Sequence, residues 1–544
     1  MKRLRDRYSV NDIADPDHRA YPFDGGFELT HPQAAARVLP IQPLPLPERL
    51  FLPLQRHSAP LQLHYPLSSE VKKGQYLGCY PAWHHFPLHA PATGTLSGIC
   101  SLNIPAESCT EYLVLECDHT DAAEVPPAPD QSGSRNLPDV WLARIQQAGL
   151  MDIFDTDQPV ATRLSTVSGK HPLLIIHASD TTPWITTRRA LVRQNAERCA
   201  GGIAMLVQLL QPVRCVVILP EAYSPEQVFL SQALERTVPD CLPVPLKTRY
   251  PGHHPLLVFR QLFGRWPAES EAVLHLGIET AFTIRQTIHT GRPQLSQTVS
   301  IADHNRVYGN FTVPFGTLVR DILSSCPDII PPRQPCYSNT PFQGLTLPSA
   351  SLLSITDQCL FLTQQQPASK PVTASCNGCH ACLPACPAQL DVPGLYALLQ
   401  TQHIALAANA LQRCITCGCC DIACPEQLPL SRTFHDGKQH LRTLYAQQAQ
   451  AHVFRQRFEQ RNQRRLRDKE EKNRMMAETQ RNAAHIPQDK TPPSSPVAQT
   501  QPMEAAPAID KQALVAAAIE RARNRQKQLN HDTAPVPPES GSRK

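Results

Sequence analysis

Two rows of cysteine constrain this chain more than any other feature. CNGCHACLPACP runs from Cys376 to Pro387, and CITCGCCDIACP repeats its spacing from Cys414 to Pro425. Each reads C-x2-C-x2-C-x3-C-P. Structural zinc uses C-x2-C pairs separated by a longer loop, which gives four ligands around one ion. Here one tight loop offers three thiolates to three corners of a cube, and the fourth corner has to come from elsewhere. This is the bacterial ferredoxin signature, in which the last cysteine serves the other cluster. It assigns Cys376, Cys379, Cys382 and Cys424 to one [4Fe–4S] cluster and Cys414, Cys417, Cys420 and Cys386 to a second. Pro387 and Pro425 are expected to stop helix propagation beside the last ligand. Gly378 and Gly418 are expected to let backbone amides approach the sulfides without a Cβ clash. Cys419, between two ligands, reads as a bystander.

A chain of 544 residues is too long for one core, since single cores stop growing at about 250–300 residues. Its formal charge of +5, with signs interspersed, is too mild to argue for a nucleic-acid surface. The opening MKRLRDRYSVNDIADPDHRAYPF is basic but has no apolar core, so a secretory signal is not expected. The apolar window AMLVQLLQPVRCVVILP is broken by Gln208, Gln211, Pro212 and Arg214. It falls short of the roughly 20 residues of a spanning helix, so any membrane attachment is expected through a partner. Without an export signal the cysteines are expected to be free or metal-bound. Cys79, Cys100, Cys199 and Cys215 stand singly in apolar surroundings and read as small buried hydrophobes.

The organisation reads as a multidomain α+β chain. Residues 20–120 carry short β-like runs between prolines and turns, which suggests a small barrel or sandwich. The linker AAEVPPAPDQSGSRNLPD follows. Over 137–267, a helix-like VWLARIQQAGL leads to the apolar run LLIIHAS, then to the helical RRALVRQNAERCAGGIAMLVQLL and a second run, CVVILPEAY. Strand, helix and strand with short connections predict a βαβ unit and a parallel sheet. Residues 268–345 return to β character, and a helical cysteine domain spans 368–440. From 445 to 544 the pattern is a solvated charged helix, a polar proline-bearing linker, and an Ala-rich basic helix capped by Asp510.

This order of parts resembles the C subunit of the Rnf/Rsx ion-translocating electron transport complex over about residues 20–440 plus the tail. FDGGFELTHP and LPLPERLFLPLQRHSAP look like the opening of that family's chains, and VKKGQYLG and HAPATGTL like their lipoyl-type β sandwich. HASDTTPWITTRRALV is similar to their strand-end segment in a Rossmann-like domain, VPFGT to their β-grasp module, and AAAIERARNR to their tail repeat. The resemblance implies an iron–sulfur subunit lying peripherally on the cytoplasmic face of the bacterial inner membrane. Its expected partners are the membrane subunits of the complex and a redox partner such as ferredoxin or an NADH-linked donor. The resemblance also implies FMN and NADH. That role needs a glycine-rich loop after Gly149 to close on a phosphate. This chain reads LMDIFDTDQ there, placing Asp152, Asp155 and Asp157 where an anionic cofactor would lie. Of the acidic strand-end motif, Asp180 is kept and Thr182 is not, while Pro183 and Trp184 retain the Pro–aromatic pair. The expectation is a nucleotide-type scaffold whose nucleotide chemistry is lost or altered.

Other motifs read more plainly. His84, His85, His89, His253 and His254 lack neighbouring ligands at metal spacing and are expected as surface or loop histidines. Gly201-Gly202 follows no strand directly and is expected to serve helix packing. Two other functions compete with the leading one: an electron-relay subunit of another soluble or quinone-linked oxidoreductase, and a non-redox docking or assembly protein.

Overall fold

The structure, a computed structural model, describes residues 21–28, 38–102, 111–120, 123, 137–180, 182, 184–220, 225–246, 249–268, 270–326, 329, 336–343, 346–363 and 375–483. The expected linker lies mostly outside these residues; Pro183, the Ala-rich tail and its Asp510 cap lie wholly outside. The chain is mixed α/β and divides into two units, one ending at His452 and the other beginning at Val453.

Period-two patterning builds the N-terminal part. In Arg49–Pro53 and Glu111–Cys117, Leu50, Leu52, Leu113 and Leu115 enter one core. These strands join Gly94–Ser101 and Glu70–Val71 in a four-stranded antiparallel sheet. A three-stranded sheet of Gln62–Leu63, Tyr76–Tyr80 and Phe86–His89 adds Leu77 to the same core. The alternate residues Phe51, Tyr112 and Val114 are also buried, against Leu318 and Leu352. The sheet is therefore covered on both faces.

The two apolar runs become neighbouring parallel strands, Leu173–His177 and Arg214–Pro220. Cys241–Leu246 flanks the second and Val273–Gly277 the first, all parallel. Buried parallel sheets read as continuous apolar runs because both faces are covered. Here Leu174, Ile176 and Val217 meet the helices Thr187–Leu210 and Ile278–Thr290. Leu173, Ile175 and Val216 meet the helix Pro255–Phe263. Each fully buried aliphatic side chain contributes about 1.5–3 kcal/mol, so the layer has an ample core of its own. Gly202 serves the packing of the first two of these helices: a Cβ there would run into the Ala281 carbonyl.

The strand Val273–Gly277 and the helix after it lie beyond residue 267, in the stretch read from the sequence as a second β module. They pair and pack with the parallel layer instead. The run VLHLG hides its identity because His275 looks like a solvent-facing residue.

A six-stranded mixed sheet follows, in the order Ile41–Pro43, Val307–Pro314, Ser296–Ala302, Cys359–Phe361, Cys336–Ser338 and Thr346–Leu347. The helix Val319–Ser324 packs on it through Val319, Ile322 and Leu323. The short helices Cys382–Ala385, Val392–Gln400, Ile404–Arg413 and Cys419–Ala423 carry the cysteine rows. The long helix Leu430–Ala483 then runs into the second unit, where Phe454, Phe458, Leu466, Met475 and Met476 are exposed among mixed charges. Cys199 and Cys215 are buried as expected, whereas Cys79 and Cys100 are only half-buried.

Candidate metal centre

The two cysteine rows fold into near-copies. Cys382–Ala385 and Cys419–Ala423 are single helical turns that end at Cys386 and Cys424, both with φ −79° and ψ 112°. The prolines that follow cannot extend these turns. Ahead of each turn the backbone enters the left-handed region twice: Gly378 (φ 74°) and His380 (59°) in the first row, Thr416 (50°) and Gly418 (78°) in the second. Each row thus spends one glycine on two demanding positions, but not on the same one. The expected Cβ clash is corrected at Gly378, where a Cβ would meet nothing within 4 Å. The dihedral, not the space, is what favours glycine there. Thr416 holds the equivalent conformation at a cost of about 1–2 kcal/mol. The result is amides aimed at sulfur. Gly378 N–H donates to Cys376 Sγ and Thr416 N–H to Cys414 Sγ, each at 3.4 Å, and Leu390 N–H donates to Cys386 Sγ at 3.5 Å.

The helices between the rows bring the second back beside the first on a core of Leu395, Tyr396, Leu411 and Phe434. One small cavity is lined by Cys376, Cys379, Cys382 and Cys424. Another is lined by Cys386, Cys414, Cys417 and Cys420. Each therefore has three thiols of one row and the last thiol of the other. Cys419 lines neither and packs with Tyr250. Among the described residues no three His, Cys, Asp or Glu side chains stand close enough to share a single ion; the thiols ring a space rather than converge on a point.

The surroundings of the two cavities differ. Cys376 and Cys379 are exposed, while Cys417 and Cys420 are buried. The Tyr250 hydroxyl donates to the Cys417 carbonyl at 2.6 Å, and the Lys438 ammonium donates to the Cys414 carbonyl. Asp421 accepts the Ser431 amide at 2.7 Å. Burial pushes the Cys414 thiol up to about 11, pushes the Asp421 carboxyl up and pulls the Lys438 ammonium down. Sequence reasoning missed Tyr250, Asp421 and Lys438. No local signal could have found Tyr250, which lies 167 positions from Cys417.

A second candidate region lies at the carboxyl edge of the parallel sheet. Strand order reverses at Leu173–His177, and open α/β sheets bind ligands in the crevice at such a point. Two helices begin here. At Thr187–Leu210, the Asp180 carboxyl accepts the Arg188 amide at 3.0 Å and the Arg189 amide at 3.4 Å. At Ile278–Thr290, Asp152 accepts the Gly277 amide at 3.0 Å and the Thr280 hydroxyl at 2.5 Å. Asp152 also pairs with Arg163 at 3.2 Å. Phe154 packs 4.2 Å from the His177 ring and 5.3 Å from the Arg188 guanidinium. Arg188, itself buried, reaches Glu279 at 3.1 Å and the Ser179 carbonyl at 2.8 Å. Burial pushes Asp180 up to about 7 against the pull of Arg188.

Two of the three sequence-marked aspartates, Asp152 and Asp155, share Arg163, and the third stands apart. Asp155 pairs with Arg163 and the exposed Asp157 with Arg442, each at 3.6 Å, so Asp152 alone occupies a helix start. The residues here do not fit the flavin or nicotinamide nucleotide implied by the resemblance. The Arg188, Arg189 and Gly277 amides at the two helix starts already have carboxyl partners, and an aromatic ring packs on the strand end.

The histidine expectation is also corrected in part. His84 and His85 are exposed, but His253 is buried and His254 caps the helix Pro255–Phe263, its Nδ1 accepting the Leu256 amide at 3.3 Å. Burial pulls His89, His253 and His254 down to about 4. The turn after Tyr250 folds inward, which a pair of adjacent polar residues does not announce. His275, unmarked in the sequence, lies 2.9 Å from His177 between ring nitrogens.

Comparison with known proteins separates the modules. The family model described as the RnfC barrel sandwich hybrid domain matches residues 21–120, and the 4Fe-4S dicluster domain matches residues 375–428. The C subunit of the ion-translocating oxidoreductase complex of Pseudomonas aeruginosa is 29% identical over 469 residues, 83% of this chain and 59% of its own length. Its namesake from Serratia proteamaculans is 27% identical over 70% of this chain and 55% of its own. That from Salmonella typhimurium is 26% identical over 96% and 69%. This chain is similar to those C subunits. It spans about half the length of the first relatives it matches. Among solved structures, an NAD+-reducing [NiFe]-hydrogenase in the H2-reduced state overlaps 54% of this chain and 60% of its own at a TM-score of 0.40 and 14% identity, too slight a likeness to decide anything. The RnfC-type family model ends before the parallel layer begins.

Proposed function

We propose that the chain is an iron–sulfur electron-transfer subunit of a membrane-bound ion-translocating oxidoreductase complex. The observation that carries this reading is the pair of cavities, each lined by three thiols of one row and the last of the other. On this reading Cys376, Cys379, Cys382 and Cys424 hold one [4Fe–4S] cluster, and Cys414, Cys417, Cys420 and Cys386 hold the second. When bound, such clusters accept and release single electrons. The chain's own residues supply the setting. The amides of Gly378, Thr416 and Leu390 donate to sulfur, which favours the thiolate charge. Tyr250 and Lys438 fix the backbone of the second row, and the exposed Cys376 and Cys379 leave the first row open to a redox partner.

The proposed partners are the membrane subunits of the complex and a one-electron donor or acceptor such as ferredoxin. The proposed place is the cytoplasmic face of the inner membrane. No helix among the described residues is long and apolar enough to cross a membrane, so attachment is read as peripheral. Anaerobic reconstitution tests the cofactor claim: the protein should bind about eight irons per chain, from two four-iron cubes. Stoichiometric zinc in a colourless protein would contradict it. Copurification with membrane-spanning subunits tests the placement; recovery in the soluble fraction alone would favour a different oxidoreductase.

A further inference from the structure

We infer that the phosphate seats of the crevice at the carboxyl edge of the parallel sheet are taken by the chain itself, with the Asp152 and Asp180 carboxyl groups holding helix-start amides in place of a nucleotide phosphate. Two independent helix starts converge on that edge, and each is served from within. Asp180 takes two amides of the first turn of Thr187–Leu210. Asp152, 1% exposed, takes the Gly277 amide and the Thr280 hydroxyl of Ile278–Thr290. A helix start attracts an anion through its free amides and its dipole. Once a buried carboxyl accepts such amides a phosphate must displace it, and beside Asp152, ion-paired with Arg163, it also meets like charge.

The cations of the edge are likewise committed, Arg163 to Asp152. Arg188 is shared between Glu279 and the Ser179 carbonyl. Phe154 covers His177 at the strand end. A cavity of about 480 Å³ does flank these helices, lined by Gln194, Asn195, Thr283, Gln286 and Arg292 among others. It borders the sides of the helices as well as their first turns, so space for a ring system remains while the phosphate seat is taken. The layer then acts as scaffold, presenting Tyr250 to the second cysteine row.

This inference does not rest on the iron–sulfur reading, and iron content tests that reading separately. The test uses the full-length reconstituted protein. FMN and NADH titrated by calorimetry should give no saturable heat up to millimolar concentration. Asp152→Ala vacates one seat beside Arg163, so inorganic phosphate should raise the thermal midpoint of that variant by about 2–4 °C in a saturable way and leave the wild type unmoved. Stoichiometric FMN binding by the wild type, or an equal phosphate response in both proteins, overturns the inference. If Asp152→Ala does not fold, the wild-type titration is paired with Phe154→Ala, which keeps both carboxyl groups and should still reject FMN. FMN binding gained by that variant alone would show that the ring, not the resident carboxyl groups, closes the site, and would equally overturn it.

Discussion

The cysteine module and the crevice of the parallel layer begin from the same material, backbone amides and short helices gathered at one place, and treat it in opposite ways. In the module the amides of Gly378 and Thr416 point at thiols that line small cavities. In the crevice the amides of Gly277, Arg188 and Arg189 point at carboxyl groups of the chain itself. One region aims its donors at thiols that border open space, and the other aims them at carboxyl groups buried at helix starts. A scaffold recognised from order and spacing therefore says little about ligand chemistry until the partner of every amide is known.

The sharpest way to break this contrast is in the module. Cys382→Ser and Cys417→Ser should each lower iron from about eight to about four per chain and abolish electron transfer, while Cys419→Ser should keep the iron. Metal analysis and EPR of the three variants decide it; retention of all iron by Cys382→Ser would show that the shared thiols are not ligands. In the crevice, Asp152→Asn leaves Arg163 and two donors facing a neutral group in a buried site. Urea unfolding should show a loss of about 3 kcal/mol, and an unchanged midpoint would mean the resident carboxylate adds nothing.

Acidity probes the same region. Burial, helped by Arg163, pulls His275 from 6.5 to about 3, so the unfolded chain takes up this proton first as pH falls. Stability from His275 is then full above about 6.5 and is lost toward about 3. His177, His253 and His254 shift in the same direction. Asp180, raised from 3.8 to about 7, contributes stability that is present at low pH and lost as pH rises through about 7. Four imidazoles oppose one carboxyl, so net stability should fall on acidification. His275→Gln should make that slope shallower by up to about 1.4 kcal/mol per pH unit, measured as urea midpoints at several pH values; an unchanged slope would free His275 of this role.

Smaller effects sharpen the comparison between the two rows. Tyr250→Phe removes the donor to the Cys417 carbonyl and should cost about 1–2 kcal/mol, read as faster loss of iron to a chelator. Thr416→Gly should slow that loss slightly, a gain below about 1 kcal/mol, because relief of left-handed strain is partly offset by glycine's extra chain entropy.

Much of this was legible in the sequence. LLIIH and CVVILP announced buried parallel strands because apolar runs covered on both faces leave no other trace. The cysteine spacing drew the eight thiols together before any contact was known, since C-x2-C-x2-C is a local loop geometry. What escaped was long-range or disguised. VLHLG hid a core strand behind His275, whose neighbour His177 lies 98 positions away. Tyr250 carries no mark of its service to Cys417. LMDIFDTDQ revealed the lost glycines, yet three aspartates in one short stretch gave no sign that only Asp152 turns inward while Asp157 reaches out to Arg442.

The most direct test of the central claim is an anaerobic reduction of the reconstituted full-length protein followed by visible absorbance. Dithionite should bleach the iron–sulfur chromophore, and NADH, with or without added FMN, should leave it untouched. Rapid bleaching by NADH in the presence of FMN would contradict the account, because a nucleotide would then be at work in a layer whose helix-start amides are held by Asp152 and Asp180.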